Sequence, residues 1–214
     1  MTQGDSDGIT LVTYGQIFTL FFVTFGPLKI VGPFLRLTQE ADDAAMKQIA
    51  VRASLIAVGA AVIGGFVGRA LITSWSIPVP AMLLAGGLIF ALVGLSAVLE
   101  QYQPVHPAPP PLPPGPMAAA MRITFPIVVT PYGIAALIVV LANSPGPVRT
   151  AGVLAILLGV MVLNLVAMLY ARRIMGGVTA ITLQILGAVL GVLQVALAIE
   201  MILLALRQLN IVKG

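Results

Sequence analysis

The sequence predicts an all-α polytopic membrane protein with six transmembrane helices, arranged as two inverted three-helix repeats in which helices 1 and 4 are broken. Three observations lead there. Of the 214 residues, 59% are hydrophobic and only 8% charged, with a mean hydropathy of +1.09, whereas about a quarter of a soluble domain is charged. The apolar residues fall into six runs of roughly 20 residues, the length that crosses a hydrocarbon core of about 30 Å. Two of those runs, at residues 24–34 and 123–133, are interrupted by proline and glycine at corresponding places about a hundred residues apart.

In chain order, residues 1–10 form a polar tail with Asp5 and Asp7 and no basic stretch. No cleavable signal peptide is expected, so the first span is retained. The first three-span repeat occupies residues 11–101. Its opening span, about 11–35, contains Gly26-Pro27 and Gly32-Pro33. Each proline removes a backbone donor and crowds the preceding turn, so the two pairs together are expected to interrupt the helix at membrane depth. Freed backbone groups are tolerable in hydrocarbon only where they are buried in protein or line a cavity, which makes the break a candidate binding site. Residues 36–48, with Glu40, Asp42, Asp43 and Lys47, read as a loop able to form a short interfacial helix. Span two, about 49–72, is framed by Arg52 and Arg69, whose stems let their charges snorkel. Its run of Gly59, Ala60, Gly64, Gly65 and Gly68 suits close helix packing, and Trp75 suits the interface. Span three, about 77–99, carries Gly86, Gly87 and Gly94 and ends at Glu100.

Residues 102–116 are a proline-rich linker expected to be polyproline II or disordered, a semi-rigid spacer first and a docking segment for a partner second. The second repeat occupies residues 117–206. Span four, about 117–142, holds the second break at Pro126 and Thr130-Pro131, and residues 143–147 form a compact turn. Span five, about 148–171, has Asn164 as its one strongly polar interior residue and ends in Arg172-Arg173. Span six, about 181–206, carries Gln184, Gly187, Gly191, Gln194 and the acid Glu200, and residues 207–214 form a C-terminal tail. The halves correspond in order: Val23-Thr24-Phe25 with Ile123-Thr124-Phe125, Val51-Arg52 with Val148-Arg149, and the run ending in Gly86 with that ending in Gly187. The breaks align either through the Thr-Phe pairs or through Pro27 with Pro131. With three spans per half, the second copy is inverted, the usual build of secondary transporters, whose substrate sits between the breaks.

Several classes are excluded. Cysteine is absent and His106, in the linker, is the single histidine, so disulfides and thiolate or multi-His metal sites do not arise. Nothing indicates a cofactor or an enzyme. The net charge of +4 comes from eleven Lys and Arg scattered at span ends, a topology signal rather than a nucleic-acid patch. An N-out, C-out arrangement puts Arg36, Lys47, Arg52, Arg122, Arg172 and Arg173 inside against Arg69, Arg149, Arg207 and Lys213 outside, and the positive-inside rule favours it.

The spans, Pro27 and Phe34 in the first half, Phe125-Pro126 and Pro131 in the second, and Ala198-Ile199-Glu200-Met201-Ile202 in the last span together resemble the MarC family of bacterial inner-membrane proteins over almost the whole chain. The resemblance implies uptake or exchange of small neutral amino acids such as alanine and glycine, driven by a cation gradient. The departures lie at the breaks. Where the family reads Asp or Asn, Pro, any residue, Gly, Asn, this chain has Gly26, Pro27, Leu28, Lys29 and Ile30. Where the family reads Phe-Pro, three residues, Gly-Pro-Gly, this chain has Phe125 and Pro126 followed by Thr130, Pro131 and Tyr132. Tyr132 puts bulk where close backbone approach was available, and two short polar groups able to hold an ammonium or cation are gone.

The candidate substrate-binding residues are therefore Gly26, Pro27, Lys29, Gly32, Thr130, Pro131, Tyr132 and Gly133. Glu200, an acid inside a span, is the ion-coupling candidate, or else a polar residue solvated at the interface near the outer end of span six. Lys29 is the least expected residue. It is predicted either to sit in the break, held by carbonyls freed at Pro27 and Pro33, or to snorkel to the headgroups, and the depth gap speaks against a direct pair with Glu200. Two functions stay open: a secondary transporter in the lipid bilayer, with helix N-termini binding a carboxylate and unwound carbonyls an amine or cation, and a non-transporting subunit packed against other membrane subunits.

Overall fold

The computed structural model describes residues 13–99, 115–177 and 180–212, and among them every regular element is helical. The polar tail, Glu100, most of the proline-rich linker with His106, and Lys213 lie outside the described residues, as do the surroundings of Gln184 and Gly187.

Helix α1, Tyr14–Phe25, starts on Thr13, whose side chain and Gln16 cap each other's backbone N–H. Gly26 is extended, and α2, Pro27–Leu37, begins on Pro27 at its first position, where a missing N–H costs nothing. Helix α3 runs over Asp43–Ser74, capped by Asp42 accepting from the Ala45 N–H at 2.7 Å. Helix α4 covers Val79–Leu99 and α5 Pro116–Ile123. A wide, non-α turn at Thr124–Val128 separates α5 from α6, Pro131–Ala142. Gly146, at φ +79°, turns the chain into α7, Pro147–Leu169, followed by α8, Ala171–Gly177, and α9, Ala180–Gln208.

Four stretches are long and apolar enough to cross a membrane: Tyr14–Leu37, Asp43–Ser74, Pro147–Leu169 and Gly191–Gln208. A fifth joins them if Pro116–Val128 and Pro131–Ala142, bent by 63°, count as one span. The apolar part of α4, Val79–Leu92, is shorter.

Two expectations for the first half are corrected. Residues 36–48 do not make a separate interfacial helix: Arg36 and Leu37 finish α2, and Asp43 to Gln48 are the first turns of α3. The cause is local, since Asp42 supplies the cap, Asp43 suits the positive end of the helix, and no breaker intervenes before Ser74. Nor do Gly32 and Pro33 interrupt anything, because α2 continues through them. Pro33 still removes the N–H that would bond the Lys29 carbonyl, but Ile30, Val31 and Phe34 are all buried in the core and hold the turn by packing.

Polar contacts fix which helix ends lie together. Arg172 pairs with Asp43 and donates to the Ala41 carbonyl at 2.7 Å, joining the start of α3 to the start of α8, just past the end of α7. Arg69 donates to the Thr150 hydroxyl at 3.3 Å, joining the end of α3 to the start of α7. The Arg149 guanidinium stacks 5.5 Å over the Tyr14 ring, which brings the start of α1 to that same end. The core is lean. Ala50, Ala53, Ala57 and Ala61 form a fully buried stripe on α3, a spacing that places them on one helix face, and small residues there allow helices to close without a hydrophobic driving force. On α4 and α9, Gly94 and Gly191 meet so closely that a Cβ on Gly94 would lie 3.0 Å from the Gly191 carbonyl oxygen. Outward faces stay apolar, with Leu55, Ile63, Leu92 and Val192 all more than 60% exposed, as suits contact with lipid.

Candidate site at the paired helix breaks

The breaks end alike. At each, one extended residue, Gly26 or Thr130, is followed by a proline at the first position of the next helix. At the first, the chain continues in one span-length stretch. A Cβ on Gly26 would stand 1.6 Å from the Phe22 carbonyl oxygen, so this backbone path admits glycine alone. The second break is wider: Phe125 and Pro126 leave helical geometry, joined by a cis peptide bond, and Val129 and Thr130 are extended before α6 restarts. The Thr130 side chain caps α6 by accepting from the Gly133 N–H at 3.2 Å.

These two breaks touch. A Cβ on Gly133 would lie 2.8 Å from the Phe25 ring, so the start of α6 packs against the end of α1 through a position without a side chain. From the first turn of α2, Lys29 reaches across to the second break. Its ammonium donates to the Tyr132 hydroxyl at 3.1 Å and to Gln194 Oε1 of α9 at 3.3 Å, and it stands 5.0 Å from the centre of the Tyr132 ring. Fully buried Gln194 donates in turn to the Phe90 carbonyl of α4 at 3.5 Å. On the far side of the first break, buried Asn164 of α7 donates to the Phe25 carbonyl. That carbonyl belongs to the last turn of α1, where the helix supplies no partner.

Lys29 stands at the breaks, and one part of that expectation is corrected: its ammonium is held by side chains on two other helices, Tyr132 and Gln194, rather than by carbonyls at Pro27 and Pro33. Among the described residues Lys29 makes no ion pair with Glu200, as the depth argument anticipates. Of the other candidates, Gly26, Pro27, Thr130, Pro131, Tyr132 and Gly133 gather at the junction, while Gly32 lies one turn further along α2, where an added Cβ would come near the Arg36 side chain alone.

Glu200 lies elsewhere, in a cavity of about 370 Å³ near the helix ends shared by α1, α6, α7 and α9. Its polar lining includes Gln16, Asn143, Ser144, Arg149 and Arg207 beside Glu200, over apolar walls. Leu197, which also lines it, is one turn of α9 from Gln194, so the cavity approaches the closed junction from one end of the bundle. The sequence reading marked Asn164 and Gln194 as polar residues inside spans without assigning them to the site. A buried amide in an apolar helix was the available signal. Nothing local indicated that Arg149, Arg207 and Asn143 would share a space with Glu200, since three separate helix ends supply them.

Fold and site together define an integral membrane protein built of apolar helices, two of which are broken and meet in the protein interior. The model of the MarC family of integral membrane proteins matches residues 11–210, and the chain belongs to that family. No curated protein and no solved structure matches it.

Proposed function

We propose that this chain is a secondary transporter of neutral amino acids with a diverged substrate site, spanning a bacterial inner membrane six times as two inverted repeats with both termini outside. The observation that carries the reading is the meeting of two broken helices, bridged by Lys29 and Tyr132, one helical turn beyond the floor of a cavity with charges of both signs. In alternating access such a junction is the barrier and the cavity is the open side. Lys29 sits where the family pattern has glycine, and its fixed ammonium takes over the place of a coupling cation. Its release from Tyr132 and Gln194 opens the way between the breaks. Counterflow of labelled amino acid into proteoliposomes tests the reading. The parent protein exchanges internal for external substrate, and Lys29→Met abolishes exchange while eluting as a folded species. Counterflow that is absent in the parent, or unchanged in Lys29→Met, refutes it.

One specific observation favours the second reading, a non-transporting subunit of a larger membrane assembly. The groups exposed by the breaks have partners within the chain: Asn164 serves the Phe25 carbonyl, Thr130 the Gly133 N–H, and Tyr132 and Gln194 the lysine. On that reading the native protein leaves its membrane in fixed ratio with other subunits, whereas the transporter leaves alone or as copies of itself. Mild-detergent extraction followed by mass measurement of the intact species separates the two.

A further inference from the structure

The lining of the Glu200 cavity is sorted by depth. Helix α1 enters at the end where α9 leaves, so positions along the helices translate into depth at about 1.5 Å per residue. On α1, Gln16 is nearer the mouth than Leu20; on α6, Asn143 is nearer than Val140; on α9, Arg207 is nearer than Glu200 and Glu200 nearer than Leu197. The polar side chains are therefore gathered toward the mouth, where Ile17, Leu203 and Leu204 also line the wall, and the floor is wholly apolar. Glu200 is exposed to the space and stands between the two zones. A carboxylate pairs with an ammonium and a guanidinium with a carboxylate, both as charge-assisted hydrogen bonds. With Glu200 and two arginines at the upper level, the wall can hold both ends of a zwitterion and leave its remaining part directed inward. What lies inward is leucine and valine. At about 370 Å³ the cavity reaches the range of pockets that hold drug-sized ligands, about 300–1,000 Å³, and glycine or alanine would leave most of the apolar floor uncovered.

We propose that this cavity binds the zwitterion of an amino acid with a branched or long apolar side chain in preference to glycine and alanine. The ammonium meets Glu200, the carboxylate meets Arg149 and Arg207, and the side chain covers Leu20, Leu83 and Leu197. Calling this occupant a cargo rests on the transport reading; its binding does not.

The test is equilibrium binding of tritiated leucine to the full chain in phosphatidylcholine nanodiscs. Each added methylene buried is worth a factor of about four, so unlabelled leucine should displace the label at a concentration about fiftyfold below that of alanine. Isoamylamine and isocaproate, which keep the tail and one charge each, should need at least tenfold more than leucine. Glu200→Gln should weaken leucine binding at least tenfold with melting temperature and elution volume unchanged. Alanine competing as well as leucine overturns the assignment of the apolar floor, and either single-charge analogue competing as well overturns the zwitterion. Absence of saturable leucine binding overturns the inference outright, as does a co-purified phospholipid that leucine fails to displace. Counterflow of labelled glycine and of labelled leucine, measured on the same preparation, keeps the two readings apart. Counterflow without leucine binding defeats only this inference, leucine binding without any counterflow defeats only transport, and loss of both defeats both.

Discussion

A lysine at the centre of a membrane helix costs about 2.5–3.5 kcal/mol on insertion scales, and the protein offsets that cost at Lys29 with a hydroxyl, an amide oxygen and an aromatic ring. The arrangement is mutual, because buried Gln194 has Oε1 bound by the lysine and Nε2 spent on Phe90. Lys29→Met alone leaves that oxygen without its donor, at about 1–3 kcal/mol, roughly cancelling what the removed charge saves. Combining it with Gln194→Leu removes both halves of the pair. Unfolding of the two single variants and the double variant in detergent is expected to give a coupling of about 0.5–3 kcal/mol, with the double variant more stable than either single one. Strict additivity would mean that the contact carries no energy. Asn164 presents the milder case of an amide holding an opened helix end. Its hydrogen bond to Phe25 crosses between helices, and Asn164→Ala is expected to cost about 1 kcal/mol in the same assay, near the upper part of the measured range for such bonds in membranes.

At the scale of the element, the two breaks solve one problem with different chemistry. The first is sharp, one residue long, and depends on the absence of a side chain at Gly26. Gly26→Ala forces α1 and α2 apart and is expected to destabilise by about 3 kcal/mol, the upper end of the penalty for overpacking, seen as a lowered melting temperature. The second break is spread over Phe125 to Thr130 and depends on a cap, so Thr130→Ala is expected to cost only about 1 kcal/mol while Thr130→Ser retains most of the stability. Were the two substitutions equally costly, the contrast between a steric and a capped break would fail. The interruption at Gly26-Pro27 and the start of α6 at Pro131 were both legible in the sequence, because proline at a first helical position is a local signal. The continuity of α2 through Gly32-Pro33 was not, since the same local signal is there overruled by burial of Ile30, Val31 and Phe34 on one face of the turn.

For the whole molecule, the contacts divide the charged residues between two ends. Arg69, Arg149 and Thr150 gather with Tyr14 at one, and Asp43 and Arg172 at the other. The chain contains no cysteine, so single reporters are simple to place. Val148→Cys and Ala44→Cys are expected to react with an impermeant maleimide from opposite faces of sealed vesicles, and the N-out arrangement further expects Val148→Cys to react from the outer face. Labelling of both from one face would overturn the antiparallel course of α3 and α7.

Composition and local chemistry alone placed this chain in a membrane, located its apolar runs and marked its two broken helices. Such properties depend on segment length, hydropathy and the missing proline N–H, all of which act within a few residues. The partners of Lys29 lie 103 and 165 residues away, and the charged cavity takes its lining from α1, α4, α6, α7 and α9. Those meetings follow from the packing of helices on alanine and glycine surfaces, where one residue's side-chain volume decides whether two backbones approach. Periodicity along a single helix carries no information about which other helix fills that space, so the breaks could be read from the chain but their joining through Lys29 and Tyr132 required the fold.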